Sequence, residues 1–147
     1  MIEKIEHNGK LLSIIIRHSF NSDGIHFFTP HDFSQQLAYM KRPKGHKVDC
    51  HVHNPVIRQI VFTKEVLFLK RGKIRIDFYT DEKNYIESLI MEPGDVILLA
   101  TGGHGIEMLE ESELIEIKQG PYTDEMDKTR FVGVDQSQIR VRHYCQK

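Results

Sequence analysis

Two histidines, His51 and His53, stand one residue apart in the run Gly45-His-Lys-Val-Asp-Cys-His51-Val-His53. In an extended strand successive side chains alternate faces, so residues two apart point the same way. Two neutral imidazoles on one face can grip a borderline divalent metal ion. On its own the spacing is a weak signal. It gains weight from Glu65, which opens an apolar run ending at Gly72, and from His104 in Pro93-Gly-Asp-Val-Ile-Leu-Leu-Ala-Thr-Gly-Gly103-His104. Three imidazoles and one carboxylate leave coordination positions open for water or substrate. An ion held there would polarise a substrate oxygen or lower the pKa of bound water. The glycines flanking His104 read as a tight turn that presents its side chain.

Strands must carry these residues. The runs at 10–17, 56–63, 66–69, 73–79, 85–90, 96–99 and 114–118 are short, β-branched or aromatic, and bounded by Gly, Asp, Asn or Pro. Strands that follow one another with turns but no helical pattern between them indicate an antiparallel sandwich or barrel, an all-β fold with little helix. The stretch 32–40 is the one candidate for a short helix, with Pro30 and Asp32 as start signals. The polar stretch after Arg130 reads as a tail, an edge strand or an arm lent to a neighbouring subunit.

A chain of 147 residues fits a single domain, 1–147, with a real core. Twenty Lys and Arg against 21 Asp and Glu leave a formal charge of −1, which gives no reason to expect a nucleic-acid partner. Cys50 and Cys145 are too far apart in sequence for a CxxC motif, which argues against a disulfide framework or thiolate zinc site and for a reducing cytoplasm. The longest early apolar stretch, Leu11-Leu-Ser-Ile-Ile-Ile16, reads as a strand, and no segment is long enough to span a bilayer.

Together these segments resemble the cupin superfamily. Its first motif reads Gly, five residues, His-x-His, three or four residues, Glu, six residues, Gly. Gly45 with His51-Val52-His53 fits the first half, and Glu65 with Gly72 fits the second, but eleven residues separate His53 from Glu65. Its second motif reads Gly, five residues, Pro-x-Gly, two residues, His, three residues, Asn. Here Gly94 is followed by Ala100 at the Pro position, Thr101-Gly102, His104 one residue early, and Met108 at the Asn position. The resemblance covers about 45–119 and implies a cupin-type jelly roll. It also implies that His51, His53, His104 and Glu65 bind one divalent transition metal, with Fe, Mn, Zn, Ni and Co all compatible with the donors. A homodimer follows by the same analogy, since small cupins commonly pair sheets or exchange N-terminal strands.

Two registers are open. If the long interval is a bulged or extended hairpin, His51 and His53 keep the ligand positions; this register preserves the Gly45 spacing and is preferred. If Glu65 sets the alignment, Arg58-Gln59-Ile60 falls where His-x-His belongs, and an arginine does not ligate metals. Arg58 and Lys118, with Arg75 behind them, are candidates for holding a carboxylate or phosphate of a substrate. Cys50 reads as a packed small residue, and the basic run 41–47 as a solvated loop. His18, His26, His31 and Tyr122 border the site only if the N-terminal part folds over it. Three functions compete: a metal-dependent cupin enzyme acting on a polar, carbohydrate-like small molecule; a metal-free isomerase or epimerase similar to nucleotide-sugar cupins; and a non-catalytic ligand-binding module.

Overall fold

The computed structural model describes residues 1–121, 123 and 127–143. Among the described residues ten strands form: β1 (Ile2–His7), β2 (Lys10–Ile16), β3 (Gly24–Phe27), β4 (Ala38–Lys41), β5 (Glu65–Arg71), β6 (Ile74–Tyr79), β7 (Tyr85–Met91), β8 (Val96–Leu99), β9 (Gly103–Met108) and β10 (Glu113–Lys118). No α-helix occurs among them, and no helix is long and apolar enough to cross a membrane. The protein is all-β. Five strands pair antiparallel in the order β1-β2-β8-β5-β10, three in the order β7-β6-β9, and β3 with β4 as a separate hairpin.

The near-continuous apolar runs of β2 and β8 have a simple cause: both faces of the five-stranded sheet are covered. Ile15, Leu67, Leu69, Ile97 and Leu99 pack against Ile74, Ile76, Phe78, Leu89 and Met91 of the three-stranded sheet. Ile14, Ile16, Val66 and Leu98 point the other way, under Leu37, Phe20, Phe28 and Tyr39 from the β3–β4 region. Each such side chain contributes about 1.5–3 kcal/mol by leaving water. The sheets therefore face one another across a dry layer.

Strand β6 is buried on both faces, although only Ile74, Ile76 and Phe78 join the apolar core. On its other face Arg75 Nε donates to Asp77 Oδ1 at 2.8 Å, Ser88 Oγ donates to Asp77 Oδ1 at 2.5 Å, and Arg75 Nη2 lies 2.6 Å from Glu107 Oε2. The C-terminal segment covers this row. Val134 N donates to Tyr79 Oη at 3.0 Å, and Ser88 exchanges backbone bonds with Arg140 and Arg142 at 2.9 and 2.8 Å. The described part of the stretch after Arg130 thus lies back on its own sheet, with a 3-10 turn at Gln136–Gln138.

Two expectations about elements are corrected. The stretch 32–40 is not helical: Phe28 N donates to Leu37 O at 2.9 Å and Leu37 N to Thr29 Oγ1 at 3.1 Å, so the chain turns back into β4. Burial of Leu37 and Tyr39 against the sheet outweighs local helix signals. The run 56–63 is not a strand either; its residues carry no ladder, and 56–62 are exposed.

Candidate functional site

The site lies where the two sheets meet at β9. Glu65 opens β5 and faces the same side as Leu67 and Leu69, because residues two apart in a strand share a face. His104 pairs laterally with Phe78, so it too faces between the sheets. Gly102 makes the turn into β9: its φ is +74°, and a Cβ there would stand 2.6 Å from Tyr79 O and 2.9 Å from Leu12 Cδ2. Only glycine lets the chain turn that tightly and aim His104 inward.

His104 Nε2 lies 3.2 Å from Glu65 Oε2, and Lys118 Nζ lies 3.7 Å from Glu65 Oε1. The hydrogen bond from His104 holds the Glu65 carboxyl below its ordinary value of 4.5, reinforced by the charges of Lys118 and Lys128 and opposed by burial. An ionised carboxylate only accepts, so Nε2 must carry the hydrogen. Glu116, 3.0 Å from Lys118, raises the ammonium's pKa above the ordinary lysine value, and Glu65 adds to this. Both sheets contribute, since Glu65 and Lys118 belong to the five-stranded sheet and His104 to the three-stranded one.

A cavity of about 810 Å³ opens here, reaching from Glu65, Leu99 and His104 around the free edge of β9 to Arg75, Tyr79 and Phe131. That is within the usual range for a small-molecule site. The C-terminal segment forms one wall: Phe131 packs edge-on against Tyr79 with centroids 5.0 Å apart, and Gln136 bonds both Arg75 and Glu107. Sequence reasoning missed this wall. Its one local signal was the apolar run Phe131-Val-Gly-Val134 amid polar neighbours.

Of the expected ligands, Glu65 and His104 come together, and Lys118 joins them. His51 and His53 do not. They lie on an exposed stretch without secondary structure, their rings edge-to-face at 5.2 Å, with His51 Nδ1 2.9 Å from Asp49 O. Among the described residues no group of three or more His, Cys, Asp or Glu is placed to hold a metal ion. The four-ligand set therefore does not assemble within one chain: Glu65 and His104 engage each other, and two donors alone leave a transition metal under-coordinated. Arg58 is exposed, its guanidinium reaching no farther than Val56 O at 3.5 Å. Arg75 faces the outer side of β6 and is already held by Asp77 and Glu107.

The remaining candidates lie elsewhere. Cys50 is exposed rather than packed. His18 approaches Asp95 at 3.2 Å, His26 approaches Asp23 O at 2.9 Å, and His31 is exposed. Tyr122 and Cys145 lie outside the described residues. The basic run 41–47 is exposed, as expected of a solvated loop. No family model matches the chain, and no curated protein or solved structure matches it.

Proposed function

We propose that the chain is a cupin-type jelly roll that takes a polar, carbohydrate-like small molecule between its sheets and acts on it through the Glu65–His104 couple. The jelly-roll reading is supported by the way the chain alternates between sheets: β5 in one, β6 and β7 in the other, β8 back, β9 across and β10 back again. The observation that carries the functional reading is the 3.2 Å contact of an imidazole and a carboxylate from different sheets, at the mouth of a cavity. Glu65 fixes the tautomer and orientation of His104, and Nδ1 is then the nitrogen that trades a proton with the ligand. Lys118 supplies positive charge beside the carboxylate for an anionic group of the ligand. A metal-free isomerase or epimerase, moving a proton next to a sugar carbonyl, is the reaction class that asks least beyond these groups.

A metal-dependent version of the reaction is favoured by one observation, the two adjacent imidazoles of His51 and His53 on the stretch that leads into Glu65. It requires that stretch to bring them to His104. The two readings separate in one experiment: calorimetric titration of sugar phosphates and nucleoside diphosphate sugars, with and without chelator. Binding that survives chelator and disappears in His104→Ala supports the acid–base couple. Binding that chelator abolishes and a transition metal restores supports the metal version. Binding by no member of the panel removes both as sugar-directed readings.

A further inference from the structure

Strand β9 borders one cavity with two different faces. His104, Ile106 and Met108 point between the sheets, so Gly103, Gly105 and Glu107 point outward, beside Tyr79, Asp77 and Arg75 of β6. The two glycines leave that outer face bare. Phe131 fills the room over Gly103, where a Cβ would stand 3.1 Å from its ring. Over Gly105 the room stays open: a Cβ there would meet nothing nearer than Asp77 Cβ at 3.9 Å, and the backbone has no positive φ. This is the outer lobe of the cavity, walled by Gly133, Val134 and Gln136 of the C-terminal segment. It joins the inner lobe at His104 around the free edge of β9.

The Glu65–His104 couple makes no use of this lobe, although polar side chains more than nine-tenths buried form its floor. Arg75, Asp77 and Tyr79 are 7%, 8% and 4% exposed. Tyr79 Oη accepts from Val134 N at 3.0 Å, and among the described residues its own hydrogen has no acceptor. Glu107 takes its bonds from Arg75 and Gln136 on Oε2, and among the described residues Oε1 has no donor. The lobe thus holds an unspent donor and an unspent acceptor. Two carboxylates against one guanidinium also leave it one negative charge in excess, which repels an anion. An ammonium group would satisfy Glu107 but has nothing to accept the Tyr79 hydrogen. A neutral hydroxyl both accepts and donates, and neighbouring hydroxyls on one ring can meet both groups. Phe131 adds an apolar wall for the ring carbons.

We infer that the outer lobe is a second sugar-ring subsite, so that the ligand is a saccharide of at least two rings, one at His104 and the next turned around the edge of β9 onto Tyr79 and Glu107. This deepens, and rests on, the reading that a sugar occupies the inner lobe. Any anionic group of the ligand stays with Lys118 in the inner lobe, away from the excess negative charge. The cavity volume of about 810 Å³ lies toward the upper end of the range for small-molecule sites, which leaves room for more than one ring.

The test is a titration of the full chain, followed by amide NMR, with cellobiose, lactose and chitobiose against glucose, galactose and N-acetylglucosamine. Expected is at least one disaccharide that binds about ten-fold tighter than its monosaccharides, the equivalent of one or two added hydrogen bonds. It should shift the amides of Gly105, Glu107 and Gly133 together with that of His104. Gly105→Val, which fills the lobe with a side chain suited to a strand, should return the disaccharide to monosaccharide affinity. Glu107→Gln keeps the shape, removes the charged acceptor, and should weaken the disaccharide alone; it decides the matter should Gly105→Val fail to fold. Disaccharides that bind no tighter than monosaccharides, or that shift only the amides around Glu65 and His104, overturn the inference and leave the proposed function standing. A disaccharide advantage that survives both variants overturns it as well, as does a panel that leaves the outer-lobe amides unshifted. Outer-lobe shifts that persist in His104→Ala and vanish in Gly105→Val uphold it and count only against the Glu65–His104 couple.

Discussion

Two of the ion clusters among the described residues are built from similar parts and differ in their surroundings. In the first, Asp95 is 0% exposed and saturated: it accepts from His18 N at 2.8 Å, Glu92 N at 3.0 Å and Arg17 Nη1 at 2.6 Å. Arg17 in turn donates to Glu3 at 2.6 Å and to Ile90 O at 2.7 Å. Burial alone would raise the Asp95 pKa, but the two N–H donors and Arg17 outweigh it and hold it below 3.8. Burial likewise opposes the Arg17 charge, and its bonds to Glu3 and Asp95 more than restore it. In the second cluster Glu65, His104 and Lys118 keep side-chain exposures of 20%, 32% and 25%, and a cavity adjoins them. A closed, satisfied network ties strands together. An open one adjoins a cavity of the size that small-molecule sites have.

The largest expected effect breaks the closed cluster. Asp95→Asn takes one buried carboxylate from Arg17, which keeps Glu3, and should cost about 3 kcal/mol of stability, the low end for a broken buried pair, measured by denaturant unfolding. Acid reaches the same cluster. The depressed Asp95 pKa means its stabilisation is complete above the ordinary value of 3.8 and is lost as pH falls below it. Melting temperature should therefore fall in that range, and more steeply in the wild type than in Asp95→Asn.

The open cluster should respond the opposite way. His104→Ala is expected to lower turnover by about 10²–10⁴-fold while leaving unfolding nearly unchanged, since no core residue is altered. Glu65→Gln should remove an acid limb from the pH profile. Because the Glu65 pKa is depressed, its negative charge is present above 4.5 and is lost only as pH falls below that, so ligand binding in the wild type should weaken there and not in the variant. Lys118→Met should produce the smallest change, a modest loss of affinity confined to anionic ligands, visible in titrations with and without added salt.

Much of the fold was legible because alternation and turn chemistry are local. β2, β5, β6, β7, β8 and β10 could be read from β-branched runs bounded by Gly, Asp or Pro. Glu65 and His104 were legible as partners only through the spacing of a family motif, because nothing local says that β5 and β9 meet across two sheets. The run 56–63 shows the limit: strand composition marks a segment suited to pairing, but whether the fold pairs it depends on contacts far away in sequence, and here its residues carry no ladder. The Arg17–Asp95 cluster escaped notice for a related reason. Its members come from a strand end and a Pro-Gly-Asp turn, 78 residues apart, and only the fold makes them neighbours.

The most direct measurement on the central claim is a calorimetric titration of sugar phosphates and nucleoside diphosphate sugars into wild-type protein and His104→Ala, both with chelator and both checked for unchanged melting. If the Glu65–His104 couple is the working centre, the wild type binds at least one member of the panel and His104→Ala binds it far more weakly at the same stability. Equal binding by the two proteins would contradict it.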